Sequence, residues 1–294
     1  MVSTSQQWFA VLDIPLEKDL SVLLLFLQHQ GVVPYVTDEG QSQRLWVSHA
    51  DDCEKSRQWA EQWLCGELVI NQAQPSQAVS SAEKARRSSD KVLVALWRFP
   101  VTVLTLVLGV IGALLIETYN SFPIAHWFLF QAVEQQQLVS LQATLEKGHY
   151  WRLITPIFLH FGWAHIIFNG LILWEFGRRV EYAKGSAHLI TILLIAAVLS
   201  NVTQYFITPN VPFGGLSGVN YALVGYIAVY QSFITHPVLQ FNKAMIAFLL
   251  VCLLLGVFGV IDFFMAGSIA NGAHVAGLVT GVLFGGMMVW RDKK

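Results

Sequence analysis

The sequence predicts an all-α polytopic membrane protein, in which six transmembrane helices form a bundle behind a small soluble α/β N-terminal domain. Hydrophobic residues make up 54% of the 294 residues and charged residues only 13%, whereas a typical soluble domain has about 25% charged residues. The charged residues are concentrated in residues 1–98, and residues 99–290 are nearly continuous apolar sequence. We therefore expect a soluble domain at 1–70, a polar linker at 71–95 and a membrane core at 96–294.

The N-terminal part has the short alternating elements of a soluble α/β unit. Hydrophobic periodicity and turn residues predict strands at 8–14, 32–37 and 44–48 and helices at 20–30 and 51–64. Residues 71–91 are rich in Gln, Ser, Ala, Lys and Arg and are too polar to fold alone, which predicts a linker. The first 17 residues are mixed and polar, so no cleavable signal peptide is expected.

Six stretches after the linker are candidates for crossing a bilayer, which takes about 20 mostly apolar residues. They lie at 101–119, 153–176, 187–207, 216–233, 243–264 and 268–290. Residues 120–150, between the first two stretches, are too polar to span but contain several aromatic side chains. We expect this segment to lie in the headgroup region of the membrane.

Basic residues are distributed unevenly between the two sides of the predicted bundle. One side carries Arg178, Arg179, Lys184, Lys243, Arg291, Lys293 and Lys294, and the other carries only Lys147 and Arg152. Because loops rich in Lys and Arg stay in the cytoplasm, both termini are predicted to be cytoplasmic. The segments that lead into the fourth and sixth spans are then predicted to lie on the outer face.

Four polar side chains interrupt the apolar spans at a similar depth in the outer half of the membrane. Ser217 begins the fourth span, and His274 lies about six residues into the sixth, or roughly 9 Å along a helix. His165 and Asn169, in the second span, are four residues apart and therefore lie on one face of a helix. Polar groups at this depth are costly and usually line a functional site or a cavity.

These residue types together indicate acyl transfer. A serine hydroxyl becomes a strong nucleophile when a neighbouring histidine takes its proton, which suggests Ser217 as nucleophile and His274 as general base. The tetrahedral intermediate needs donors for its oxyanion, and the Asn169 amide, the His165 ring and the backbone N–H of Ser217 are the candidates. Asp262 is the one candidate for a third member behind the histidine, but its place near the outer surface favours a dyad.

Small residues recur at four-residue spacing in the fourth and sixth spans. They are Gly218, Ala222 and Gly225 in one span and Gly277, Gly281 and Gly285 in the other. Such faces let helix backbones approach closely, which would bring Ser217 and His274 together. Tyr221, one turn after Ser217, is predicted either to stack on the His274 ring or simply to pack between the two spans.

The polar residues also carry a resemblance to rhomboid intramembrane serine proteases. The matching motifs are Gly215-Leu216-Ser217-Gly218, Ala273-His274-Val275-Ala276-Gly277, His160-x4-His165-x3-Asn169 and the pair Trp151-Arg152. The resemblance covers about residues 95–290, and the soluble domain before this core is similar to GlpG-type rhomboids of Gram-negative bacteria. It implies a six-helix rhomboid bundle in the bacterial inner membrane, with its active site toward the periplasm.

The resemblance also implies roles for single residues. Ser217 corresponds to the family's nucleophile and His274 to its base, while His165 and Asn169 correspond to the residues that stabilise the oxyanion. His160 corresponds to a histidine that is structural rather than catalytic. Gly215 and Gly218 flank the nucleophile as supporting residues, and Glu181 resembles a family acid that braces neighbouring backbone.

Other classes of function fit the sequence less well. A zinc protease could use His160, His165 and His274, but the sequence has neither a HExxH motif nor a carboxylate near these histidines. The elbow motif of α/β-hydrolases fails because Val219 stands where its second glycine belongs. A transporter is expected to have repeated halves with broken helices, which are not found. A non-catalytic rhomboid-like protein that binds or chaperones membrane proteins is the alternative, although such relatives lose the serine or histidine kept here.

The expected partners are the lipid bilayer and single-span or polytopic membrane-protein substrates. No cofactor and no metal are expected, and a net charge of −1 argues against nucleic acid. The cysteines, Cys53, Cys65 and Cys252, have no CxxC or zinc spacing and are predicted to be reduced thiols. The sequence gives no indication of the oligomeric state.

Overall fold

A computed structural model describes residues 8–39, 42–68, 70, 98–118, 123–260 and 269–294. The chain divides into two compact units, one with residues up to Val94 together with Thr235–Gln240, and one with Ala95–Ile234 and Phe241–Lys294. The predicted linker at 71–95 lies outside the described residues. The predicted domain boundaries therefore stay a prediction.

The N-terminal unit contains a three-stranded antiparallel sheet and two helices. In chain order they are β1 (Phe9–Pro15), α1 (Ser21–His29), β2 (Pro34–Asp38), β3 (Ser42–Val47) and α2 (Cys53–Leu64), with strand order β1-β3-β2. These are the elements that the periodicity predicts, with ends shifted by a few residues. Leu23 and Leu27, four residues apart on α1, are fully buried with Ile14 and Leu45 from the sheet, so one face of α1 covers one face of the sheet.

One ion pair crosses the surface of this sheet. Asp13 on β1 and Arg44 on β3 are direct neighbours in the strand register. Arg44 donates two hydrogen bonds to the carboxylate, at 2.5 Å from Nε and 2.8 Å from Nη2. These bonds hold the pKa of the Asp13 carboxyl below its usual range.

The second unit is helical. Its long helices are α3 (Pro100–Glu117), α5 (Trp163–Lys184), α6 (Ser186–Ile207), α7 (Ser217–Phe233), α8 (Lys243–Val257) and α9 (Asn271–Asp292). Within the described residues, four stretches are long and apolar enough to cross a membrane, namely α3, α6, Pro237–Val257 and α9. α5 carries several charged residues and α7 has only 17 residues, so these two do not meet the same measure. The count of six spans stays a prediction.

The segment between α3 and α5 is irregular. Its described part contains a 3₁₀ turn at Pro123–Trp127, a short hairpin of β4 (Val133–Glu134) and β5 (Gln137–Leu138), and the short helix α4 (Leu141–Glu146). Arg152 is buried beneath it and donates hydrogen bonds to the carbonyls of His126 at 2.6 Å and Leu129 at 2.8 Å. Its burial lowers the pKa of the guanidinium. Each helix and strand of this segment is too short to span a bilayer. Its position at the membrane interface stays a prediction.

The predicted start of the second span, residue 153, is wrong. The helix α5 begins ten residues later, at Trp163. Pro156 lacks an N–H for a continuing helix, and Gly162 has a φ of +126°, which breaks the helical path just before α5. The helix α7 begins at Ser217, within one residue of the predicted start of the fourth span. Residues 261–264 of the predicted fifth span and residue 268, the predicted start of the sixth, lie outside the described residues.

Small residues bring α7 and α9 into backbone contact. A β-carbon at Gly277 would overlap the carbonyl oxygen of Gly218, and one at Gly281 would overlap that of Ala222. A β-carbon at Gly285 would lie 2.8 Å from the carbonyl oxygen of Tyr226. The two faces of small residues therefore pack directly against each other.

Glu181 joins the N-terminus of α3 to α5 and α6. Its carboxylate accepts hydrogen bonds from the backbone N–H of Val101 and Thr102, both at 2.9 Å. It also accepts from the hydroxyls of Thr102 and Ser186, both at 2.7 Å. A carboxylate at this position satisfies free N–H groups and stabilises the positive end of the helix dipole.

Candidate active site

Ser217 and His274 meet where α7 and α9 begin. Ser217 is the first residue of α7, and His274 lies in the first turn of α9. The His274 Nε2 atom is 2.7 Å from the Ser217 Oγ atom. With the ring proton on Nδ1, the serine hydroxyl donates to Nε2, which is the arrangement that lets the histidine accept its proton.

The start of α9 is held by two amide side chains. Gln204 on α6 accepts a hydrogen bond from the backbone N–H of Ala273 at 3.1 Å. Asn271 donates from Nδ2 to the carbonyl oxygen of Gly256 on α8 at 2.8 Å. Both contacts flank His274 and fix the helix end that carries it. The sequence analysis missed Gln204, although an amide in an apolar span is itself a signal of a buried polar contact.

Tyr221 lies against His274. The two rings have centroids 5.0 Å apart and planes tilted by 43°. The Tyr221 hydroxyl donates to the carbonyl oxygen of Leu249, on α8, at 3.1 Å. One side chain thus contacts the histidine with its ring and α8 with its hydroxyl.

His165 approaches the serine through a glycine. Gly215 has a φ of +125°, and a β-carbon there would lie 2.8 Å from Cε1 and 2.9 Å from Nε2 of His165. The same β-carbon would lie 3.8 Å from the Ser217 Oγ atom. The His165 ring and the serine hydroxyl therefore both border a position that only glycine can occupy.

His160 supports the loop that leads into α7. Its Nε2 atom accepts a hydrogen bond from the backbone N–H of Leu216 at 3.3 Å, and its Nδ1 atom lies 3.0 Å from the carbonyl oxygen of Phe158. The side chain is fully buried, and its ring centroid is 5.0 Å from that of His165. These contacts are structural ones, one residue before the serine.

Asn169 is turned toward its own helix and toward α7. Its Nδ2 atom donates to the carbonyl oxygen of His165 at 3.0 Å, and its Oδ1 atom accepts from Nδ2 of Asn220 at 2.9 Å. Asn220 is buried three residues after Ser217 and was missed by the sequence analysis. The observed hydrogen bonds of Asn169 thus connect α5 to α7.

Asp262 lies outside the described residues. Within the described ranges, no hydrogen bond or ion pair joins His274 to a carboxylate. The same ranges contain no group of three His, Cys, Asp or Glu side chains that could hold a metal ion.

Comparisons with known proteins identify the family. Residues 147–291 match the family model of the rhomboid domain, and residues 6–74 match that of the rhomboid N-terminal domain. The rhomboid protease GlpG of Salmonella choleraesuis (strain SC-B67) is 31% identical over 265 residues, which are 89% of this chain and 86% of that protein. The chain belongs to the rhomboid family.

Other rhomboid relatives have a higher identity over a shorter length. The rhomboid protease GlpG of Salmonella newport (strain SL254) and that of Salmonella typhi are each 43% identical over 137 residues, or 46% of this chain. The chain spans about half the length of these two relatives, 48% of each. The family resemblance predicted from the motifs is confirmed, and with it a membrane protein with a rhomboid core.

Proposed function

We propose that this rhomboid is an intramembrane serine endopeptidase, in which Ser217 is the nucleophile and His274 the general base. The observation that carries the proposal is the distance of 2.7 Å between Nε2 and Oγ. It is supported by the names of the relatives, each a rhomboid protease.

The proposed reaction has two halves. His274 takes the proton of Ser217 as Oγ attacks the peptide carbonyl carbon, and the resulting imidazolium then gives that proton to the leaving amine as the C–N bond breaks. A water molecule, deprotonated by His274, attacks the acyl-serine ester, and the proton returns to Oγ as the carboxylic acid product leaves. One peptide bond and one water molecule are consumed, and both side chains are regenerated.

The oxyanion is stabilised by donors around the serine. The backbone N–H of Ser217 belongs to the first turn of α7, where N–H groups have no partner within the helix. The His165 ring, across Gly215, is the second donor. Asn169 is the third, and its amide must turn from the His165 carbonyl to reach the intermediate. Losing one such donor typically costs about 10²–10³ in kcat.

Substrates are membrane proteins whose helices enter from the side. A helical backbone hides its carbonyls, so the outer-leaflet part of a substrate helix must unwind before Ser217 can attack. α8 is the proposed lateral gate, since Phe248, Leu254 and Phe258 on or just after it are exposed. A cross-link between α5 and α8 is expected to stop cleavage of membrane substrates, and unchanged turnover would contradict this role.

The proposed location is the bacterial inner membrane, with both termini in the cytoplasm and the active site toward the periplasm. The concentration of Lys and Arg on one side of the predicted bundle supports this orientation. Accessibility of single cysteines to a membrane-impermeant reagent, introduced at 210 and at 293, tests it. Labelling at 293 but not at 210 in intact cells whose outer membrane is permeabilised would contradict it.

Cleavage of a single-span substrate in liposomes tests the catalytic assignment. Ser217→Ala and His274→Ala are expected to abolish cleavage, and a chelator is expected to leave it unchanged. The matched control is Ser232→Ala, which removes an exposed serine hydroxyl from the same helix. Cleavage that survives Ser217→Ala, or stops with the chelator, would refute the proposal. If wild type neither cleaves nor reacts with a serine-directed phosphonate, the alternative, a non-catalytic protein that binds membrane proteins, is favoured.

A further inference from the structure

Three side chains from three helices form a polar cluster at the far end of the bundle. Lys184, the last residue of α5, donates from Nζ to the Tyr230 hydroxyl at 2.6 Å and to Oδ2 of Asp292 at 2.7 Å. Tyr230 on α7 donates to the same Oδ2 atom at 3.0 Å. Tyr230 is 2% exposed, and the side chains of Lys184 and Asp292 are 8% and 20% exposed. We call Lys184, Tyr230 and Asp292 the clasp.

Two members of the clasp, Tyr230 and Asp292, lie on the helices that carry Ser217 and His274, at the ends far from those two residues. On α7, Tyr230 comes 13 residues after Ser217, or about 20 Å along the axis. On α9, Asp292 is the last residue and comes 18 residues after His274, or about 27 Å. The clasp therefore contacts neither substrate nor the reacting atoms.

The interface between α7 and α9 does not by itself fix how far one helix is shifted along the other. Two of its contacts join small residues spaced by four, Gly277 on Gly218 and Gly281 on Ala222, so a shift by four residues would place Gly281 against Gly218. Faces of small residues offer few side-chain knobs that lock into grooves. A slip by four residues would move His274 by about 6 Å, far beyond hydrogen-bond distance of Ser217.

The clasp is suited to select one axial register. The Lys184 ammonium is largely removed from water, whereas a fifth of the Asp292 side chain is exposed, so the lysine is the group that is costly to leave unpaired. The Tyr230 hydroxyl accepts from Lys184 and donates to Asp292, so all three groups are satisfied only when α7 and α9 end at one height. Arg291 also contacts Asp292, but it lies on the same helix and cannot report the register.

We infer that the clasp positions His274 against Ser217 by fixing the axial register of α9 on α7. Lys184, Tyr230 and Asp292 are thus positioning residues, and this role rests on the proposed function of the two site residues. Among the described residues, the other side-chain hydrogen bond between α7 and α9 is the one between Ser217 and His274. During turnover that bond is broken as Oγ becomes acylated. Gln204 and Asn271 then still hold the start of α9 to α6 and α8, but the side-chain hydrogen bonds that remain between α9 and α7 are those of the clasp.

The test measures kcat, KM and the rate of labelling by a serine-directed phosphonate, in liposomes and well below each variant's thermal unfolding midpoint. Asp292→Asn and Lys184→Met are expected to lower kcat and the labelling rate on the order of 10²-fold, as expected for a misplacement of about 1 Å. KM is expected to stay unchanged, since the clasp does not contact substrate. The exchanged pair Lys184→Asp with Asp292→Lys is expected to recover most of kcat.

Two further variants keep the inference falsifiable. Tyr230→Phe keeps the ring but removes the hydroxyl, and it is expected to lower kcat without unfolding the protein. Arg291→Met removes the other cation from the same carboxylate and is expected to leave kcat unchanged. Wild-type kcat in Tyr230→Phe and Asp292→Asn, or equal losses in Arg291→Met, would overturn the inference. If wild type is not labelled, or Ser217→Ala is labelled equally, the proposed function fails instead.

Discussion

The contact between α7 and α9 predicts that one methyl group at Gly277 is enough to remove most of the proposed proteolytic activity. A β-carbon there would overlap the carbonyl oxygen of Gly218 and lie 2.8 Å from its carbonyl carbon. Carbon and oxygen normally approach no closer than about 3.3 Å, so the backbones must separate by more than about 1 Å. His274 lies three residues before Gly277, and Ser217 directly precedes Gly218. The separation therefore acts on the 2.7 Å hydrogen bond between them.

We expect Gly277→Ala to lower kcat on the order of 10²-fold, because a misplacement of about 1 Å has this effect on a reacting pair. The matched control is Gly286→Ala on the same helix, where a β-carbon would meet nothing within 4 Å. There alanine is expected to keep activity and to raise stability by about 0.5–1 kcal/mol, since glycine is a poor helix former.

The assay combines cleavage of a single-span substrate in liposomes with serine-directed labelling and thermal unfolding of the same preparations. The reasoning requires Gly277→Ala to lose both cleavage and labelling while Gly286→Ala keeps both. Full activity of a folded Gly277→Ala variant would refute it, because the backbone contact would then not determine the position of the histidine.

Three other perturbations test separate contacts. Tyr221→Ala is expected to lower kcat more than Tyr221→Phe, because phenylalanine keeps the ring against the histidine and loses only the hydroxyl bonded to α8; equal kcat values would contradict this. Glu181→Gln is expected to lower the thermal unfolding midpoint, because the charged acceptor of four hydrogen bonds becomes neutral. Each hydrogen bond to a charged group contributes about 1.5–3 kcal/mol. An unchanged midpoint would contradict a stabilising role of this carboxylate. The lowered pKa of Asp13 adds stability that is present above the unfolded-state pKa and is lost as pH falls through the folded-state pKa; Asp13→Asn should flatten the acid side of the N-terminal domain's unfolding curve slightly, because the pair is half exposed.

The sequence predicts most of this fold because the relevant signals are local. Hydrophobic runs separate the long helices from the N-terminal domain, and the spacing of His165 and Asn169 already places both on one face. The start of α5 is mispredicted because apolar residues continue through Pro156 and Gly162, where backbone constraints rather than hydrophobicity end the helix.

Contacts between distant parts of the chain could not be predicted in the same way. Lys184 and Asp292 are 108 residues apart, and nothing in either local pattern indicates that they meet. The sequence analysis used Lys184 only as a basic residue for the orientation, and it did not consider Asp292. Asn220 and Gln204 are similar cases, because the partner that satisfies each buried amide lies on another helix.

The hydroxyl of Tyr221 gives the site a mechanical connection to its surroundings. The ring rests on the histidine, while the hydroxyl is anchored to a main-chain carbonyl in the middle of α8. Main-chain atoms cannot be exchanged by mutation, so this anchor survives almost any change in the side chains of α8. An outward movement of that helix must break the bond and leave the phenol free to turn. The Tyr221 hydroxyl oxygen thus couples any movement of α8 to the mobility of the His274 ring.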